Sequence, residues 1–144
     1  MEPMFDELGA ARRMSVGIDL VQTSRIAASL DRFGERFLRR IFTPAEIAYV
    51  TAEPGLTAER CAARFAAKEA AFKALELPEP SFGWRQIEVM RQKSGACQLQ
   101  LHGATRDAAQ SAGIAELAVS LSHEGDYATA VVLAVRNHRE AAQQ

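Results

Sequence analysis

Three side chains in this sequence could do chemistry together: Asp19, Glu69 and Lys73. Asp19 interrupts Val16–Val21, an apolar run whose length and β-branched residues predict a strand, where an acid is disfavoured. Glu69 and Lys73 stand four residues apart in an alanine-rich stretch without breakers. A helix there sets them on one face with Ala62, Phe65 and Ala66. A carboxylate and an ammonium on an apolar face need partners, because burying a lone charge is expensive. Together Asp19 and Glu69 would supply two hard oxygen ligands of the kind that hold Mg²⁺, which usually takes one or two carboxylates plus water and substrate phosphates. With Arg64, Lys68 and Lys73 nearby, such a site would suit a diphosphate. A plainer reading stays open at this level. Glu69 and Lys73 can be an intrahelical salt bridge, Arg64 and Lys68 a second i,i+4 pair on a solvated face, and Asp19 an outward carboxylate on an edge strand. His123 falls in a predicted turn, where a lone histidine is ordinarily a solvated polar residue.

The elements that must position these groups can be traced along the chain. Ser24 to Arg40 reads as a helix, with Ile26, Leu30, Phe33, Phe37 and Leu38 at helical spacing and Gly34 weakening its middle. Thr43-Pro44-Ala45-Glu46 predicts a helix start, with threonine at the N-cap, proline at the first position and glutamate closing a capping box, and the helix running to about Tyr49. Ala58 to Leu75 predicts the long helix, closed by Pro78 and Pro80. Gln86–Arg91 and Cys97–Leu101 alternate as strands around a Ser94-Gly95 turn. A helix over Thr105–Ala112 ends at Gly113, and Leu117–Ser122 and Tyr127–Val135 form a last strand pair. Hairpins dominate, so the class is α+β, a mainly antiparallel sheet packed on a long central helix. One domain is expected over residues 14–136, with an extension over 1–13 and a tail over 137–144.

Bulk composition narrows the function. A formal net charge of -1 gives no global basic field, which argues against a nucleic-acid binder. No apolar run is long enough for a membrane span, and Met1 to Arg13 has no signal-peptide core. Two distant cysteines, Cys61 and Cys97, fit neither a disulfide framework nor a zinc site, and a cytoplasmic location is expected. Locally the charge is uneven. Arg25, Arg32, Arg36 and Arg39 or Arg40 recur at about helical spacing and would form a basic stripe, either a solvated face or a dock for an acidic partner.

Four ordered runs resemble one family. They are Gly17-Ile18-Asp19-Leu20-Val21 with Arg25-Ile26; Phe42-Thr43-Pro44-Ala45-Glu46; Arg64-Phe65-Ala66-Ala67-Lys68-Glu69-Ala70-Ala71-Phe72-Lys73-Ala74; and Val119-Ser120-Leu121-Ser122-His123. Their order and spacing resemble holo-acyl-carrier-protein synthase, the small 4'-phosphopantetheinyl transferases, from about Ser15 to Val135. The resemblance implies transfer of the phosphopantetheine arm of coenzyme A to a serine of an acyl carrier protein. It implies Mg²⁺ on Asp19 and Glu69, and Lys73 beside the transferring phosphate. It also implies Arg64, Lys68 and His123 on coenzyme A phosphates, Arg25 on the carrier-docking helix, and a homotrimer with coenzyme A between neighbours. It leaves either Glu69 or a water on the metal as the serine's base. One departure stands out. The family commonly has Gly-Lys-Pro in the hairpin that here reads Lys93-Ser94-Gly95-Ala96, which lacks the Lys-Pro.

Overall fold

The computed structural model describes residues 13–78 and 83–137. The expected 1–13 extension and 137–144 tail lie almost wholly outside the described residues. Strand β1 (Met14–Gln22) leads into helix α1 (Thr23–Phe33), then α2 (Glu35–Ile41) and α3 (Pro44–Thr51). The long helix α4 (Thr57–Leu75) is followed by β2 (Ile87–Arg91), β3 (Cys97–Leu101), α5 (Gly103–Ser111), β4 (Ile114–Glu124) and β5 (Tyr127–Arg136). All pairings are antiparallel, in a three-stranded sheet ordered β1-β5-β4 and a two-stranded β2-β3 hairpin.

Helix α4 is the core, and its alanines explain how. Ala62, Ala66, Ala67, Ala70, Ala71 and Ala74 are all fully buried. Small side chains let the three-stranded sheet lie close to the helix, where β5 adds Ala128, Ala130, Val132 and Ala134. The tightest contact is at Gly17 of β1, where an added Cβ would sit 1.9 Å from the Ala70 carbonyl oxygen and 2.8 Å from the Ala74 nitrogen. Only glycine fits there. Because strand side chains alternate, Ser15, Gly17, Asp19 and Val21 face the helix while Met14, Val16, Ile18 and Leu20 face out.

The capping box of α3 forms as the sequence predicts. Glu46 N–H donates to the Thr43 hydroxyl (3.2 Å) and Thr43 N–H donates to Glu46 Oε1 (2.9 Å). The single helix expected over Ser24–Arg40 is instead two. Gly34 sits at φ 54°, ψ -130°, a conformation no helix contains, and splits it into α1 and α2. The arginine stripe is therefore bent, with Arg25 and Arg32 on α1 and Arg36, Arg39 and Arg40 on α2. The start of α1 is held from far along the chain. In the β4–β5 turn, Asp126 accepts bonds from the Ser24 N–H (2.9 Å) and hydroxyl (2.6 Å), and these hold its carboxyl below the usual carboxylate range.

Replacing Gly17 with alanine should destabilise the protein by about 3 kcal/mol, since the new methyl meets backbone that cannot move aside. Thermal or urea unfolding measures this, and a loss below about 1 kcal/mol would mean that β1 can lift from α4 freely.

Candidate active site

The β1–α4 crossing brings the sequence-predicted acids together. Asp19 follows Gly17 by two residues on the same inward face, so its carboxylate points toward the next turn of α4. Its backbone is fixed by β5, where the Thr129 hydroxyl donates to the Asp19 carbonyl (2.8 Å). Lys73 reaches from α4 across to β1 and donates to the Ile18 carbonyl (2.8 Å) and to Asp19 Oδ1 (3.3 Å). Glu69 lies close enough to feel both. Its proton affinity is raised, first by partial burial and then by the Asp19 charge, while Lys73 pulls the other way. Asp19 and Glu69 are two carboxylates of the kind that take part in divalent-cation sites, and Lys73 is the ammonium beside them.

A cleft of about 560 Å³ opens beside the N-terminal half of α4. Arg60 and Arg64 of α4, Tyr49 of α3, Arg91 at the end of β2 and His123 of β4 are among the residues lining it. Arg64 lies with its guanidinium carbon 3.9 Å from the Tyr49 ring centre. His123 does not sit in a turn as expected. Strand β4 continues through it to Glu124, pairing it with Ala128, because the reversal needs only Gly125 and Asp126. Its Nδ1 stands 2.9 Å from Glu59 Oε1.

Lys68 is the clear correction. It lies on no solvated face and does not line the cleft. Its side chain is 0% exposed, and its ammonium bonds Glu46 Oε1 (2.7 Å) and the carbonyls of Ile87 (2.7 Å) and Trp84 (3.0 Å). With all three protons committed inside the protein, it has none for a coenzyme A phosphate. Burial pushes its proton affinity down and Glu46 opposes that. Glu46 Oε2 also accepts the Val89 N–H (3.1 Å), so this pair ties α3, α4 and β2 into one unit. Helical spacing could not separate this lysine from Lys73, five residues on, because the wheel does not say which neighbours cover each face.

Sequence reasoning missed Tyr49, Arg60 and Arg91. The signals were slight. Arg60 and Arg64 are i,i+4, and Arg91 continues the inward positions of Ile87 and Val89, where an arginine is out of place.

The family model described as the 4'-phosphopantetheinyl transferase superfamily matches residues 15–132. A holo-[acyl-carrier-protein] synthase of Moorella thermoacetica is 43% identical over 122 residues, covering 83% of this chain and 92% of that protein. The chain belongs to the holo-[acyl-carrier-protein] synthase family. One from Koribacter versatilis is 44% identical over 121 residues, covering 83% of this chain and 96% of its own. Among solved structures, a Chronobacterium ammoniagenes ACPS-CoA complex superposes with a TM-score of 0.77 at 37% identity, covering 87% of this chain and 98% of that one. A Helicobacter pylori holo-[acyl-carrier-protein] synthase in complex with coenzyme A gives 0.72 at 30% identity, over 83% and 98%. The mixed fold with antiparallel sheets is therefore that of the phosphopantetheinyl transferases, and the chain is an enzyme of that class.

Within this synthase, Lys68 has a structural role that can be measured. Lys68→Met strands Glu46 in the core and should cost about 3–5 kcal/mol in urea unfolding. Adding Glu46→Gln should restore part of that loss. A single-variant loss under about 1 kcal/mol would return Lys68 to the ligand-binding candidates.

Proposed function

We propose that this chain transfers 4'-phosphopantetheine from coenzyme A to a serine of an apo acyl carrier protein, with Mg²⁺, releasing adenosine 3',5'-bisphosphate. The supporting observation is the meeting of Asp19, Glu69 and Lys73 at the β1–α4 crossing of a family member. Mg²⁺ fits this donor set, because two carboxylates leave most of its coordination to water and diphosphate oxygens. Bound there, the ion would neutralise charge on the diphosphate. Lys73, half exposed, would place its ammonium on the departing phosphate. Either Glu69 or a water held at the metal would accept the serine proton. The serine oxygen bonds to the phosphorus bearing pantetheine, and the bond to the bridging oxygen breaks. Such transfers depend on positioning and charge neutralisation more than on covalent help.

The arginine-lined cleft offers its charge to the nucleotide end of coenzyme A, through Arg64 and His123. Along α4, Arg64 and Glu69 are separated by about 8 Å of helix rise. The two anionic parts of one substrate can be met within one chain or across neighbouring copies. Self-association, as in the homotrimer that the resemblance implies, agrees with the outer face of β1, where Met14, Val16, Ile18 and Leu20 are 59–65% exposed in an unbroken apolar row. A cytoplasmic location agrees with Cys61 and Cys97 both being free thiols. Among the described residues, no helix is long and apolar enough to cross a membrane.

The carrier would dock on Arg25, Arg32, Arg36, Arg39 and Arg40, all exposed, with Arg39 paired to Glu35 at 3.0 Å. Such a surface attracts an acidic protein and acts mainly on association rate.

Mass spectrometry of an apo-carrier incubated with coenzyme A, Mg²⁺ and the enzyme should show the gain of one phosphopantetheine arm. Asp19→Ala or Glu69→Ala should lower that rate about a hundredfold or more with the circular dichroism unchanged. Full activity in either variant rejects the metal assignment. Arg25→Glu with Arg36→Glu should raise the KM for the carrier about tenfold, with the effect fading in salt. The KM for coenzyme A should stay as it is, and an unaltered carrier KM removes the docking assignment.

A further inference from the structure

One aromatic ring gathers all three arginines of the cleft. The guanidinium carbons of Arg64, Arg60 and Arg91 lie 3.9, 4.4 and 5.7 Å from the Tyr49 ring centre. Two of them are also hydrogen-bonded to this residue. Arg91 Nη1 donates to the Tyr49 hydroxyl (2.6 Å), and Arg60 Nη1 donates to the Tyr49 carbonyl (2.9 Å). Three like charges at this spacing repel one another, so the cluster persists only because something holds it. Among the described residues a single carboxylate pairs with the trio: Glu53, exposed, at 2.7 Å from Arg60. Arg64 is only 5% exposed, and its Nε has no hydrogen-bond partner among the described residues. Burial lowers its proton affinity, and the arginine nonetheless faces the cleft.

A tyrosine suits this task better than an acid. A carboxylate would hold the arginines by cancelling their charge. A π-face and a phenol hold guanidinium groups and leave the charge available to a ligand. Arg91 also answers the hairpin's departure from its family. Lys93 is not among the residues lining the cleft, whereas Arg91 is, together with Gly95 and Ala96 of the turn. A Cβ on Gly95 would stand 3.7 Å from Arg91 Nη2, so this guanidinium lies directly beside the turn. The cation that this hairpin presents to the cleft comes from its strand.

Resting on the transfer activity proposed above, we infer that Tyr49 is a positioning residue that sets Arg60, Arg64 and Arg91 as a ready-made receptor for a phosphomonoester dianion. Through it, the enzyme selects coenzyme A over the form lacking the 3'-phosphate. Tyr49 touches no reacting atom, so its loss should weaken nucleotide binding and leave the chemical step intact.

The test compares coenzyme A with dephospho-coenzyme A as substrates, and measures 3',5'-ADP binding by calorimetry. Tyr49→Leu should raise the KM for coenzyme A about tenfold or more, the loss of one or two charge-assisted contacts, with kcat within about twofold. The KM for dephospho-coenzyme A should stay within about twofold, since that substrate never uses the receptor. Tyr49→Phe keeps the ring and removes the hydroxyl's contacts to Arg91 and Arg64, so it should raise the coenzyme A KM about threefold. Arg91→Gln should match or exceed it, and both remain informative if Tyr49→Leu fails to fold. Equal changes for both substrates, or no change for coenzyme A, overturn the inference. A wild-type protein that does not bind 3',5'-ADP also overturns it. Tyr49-dependent binding of 3',5'-ADP without any transfer would keep the receptor and defeat the activity.

Discussion

The structure depends on one close approach, backbone against backbone, where β1 crosses α4 at Gly17. Nothing larger than hydrogen fits between that α-carbon and the Ala70 carbonyl. The approach sets the sheet's distance from the helix, and so also sets how far an acid on β1 must reach to meet one on α4. Asp19, two residues further along the strand, arrives beside Glu69 and Lys73 because strand and helix lie too close for even a methyl group between them. The alanine stripe of α4 continues the same contact against β5. Packing of the smallest side chains thus positions the most highly charged ones.

The other side of α4 is fastened differently. There the Glu46–Lys68 pair, with its bonds to the Val89 N–H and the carbonyls of Ile87 and Trp84, locks α3 and β2 onto the helix. Such a pair carries a large desolvation cost and is tolerated because every donor and acceptor around it is used. Tyr49 lies on the same helix as Glu46, three residues on, so the lock also fixes the ring that collects the cleft's arginines. One flank of α4 therefore gathers the acids Asp19 and Glu69 and the other the arginines around Tyr49.

Much of this was readable in the residues. The capping box at Thr43, the alanine-rich helix, the Ser94-Gly95 hairpin and the strand around Asp19 all follow from local rules, and local interactions decide them. Asp19, Glu69 and Lys73 stood out because charge in an apolar pattern needs a partner. What the residues could not show was which faces become covered. Arg64 and Lys68 share a helical spacing, yet one faces the cleft and the other is sealed beneath Trp84 and Ile87. That difference is made by segments far away in the chain. The break at Gly34 was visible as a weakness, but its positive φ is imposed by how α1 and α2 turn around the core.

The sheet order β1-β5-β4 carries a further consequence. The first described strand pairs along its whole length with the last, from Met14 with Val135 to Gln22 with Tyr127. Asp126, just before that last strand, also anchors the start of α1. During synthesis, then, β1 has no strand partner until β5 has emerged. Closing so long a loop is the slow event in folding. Until it closes, the outward row of Met14, Val16, Ile18 and Leu20, which stays exposed after closure too, lies on a strand unpaired along both edges. The nascent polypeptide is thus most prone to aggregate just before it becomes competent, and its first and last strands gain their order together.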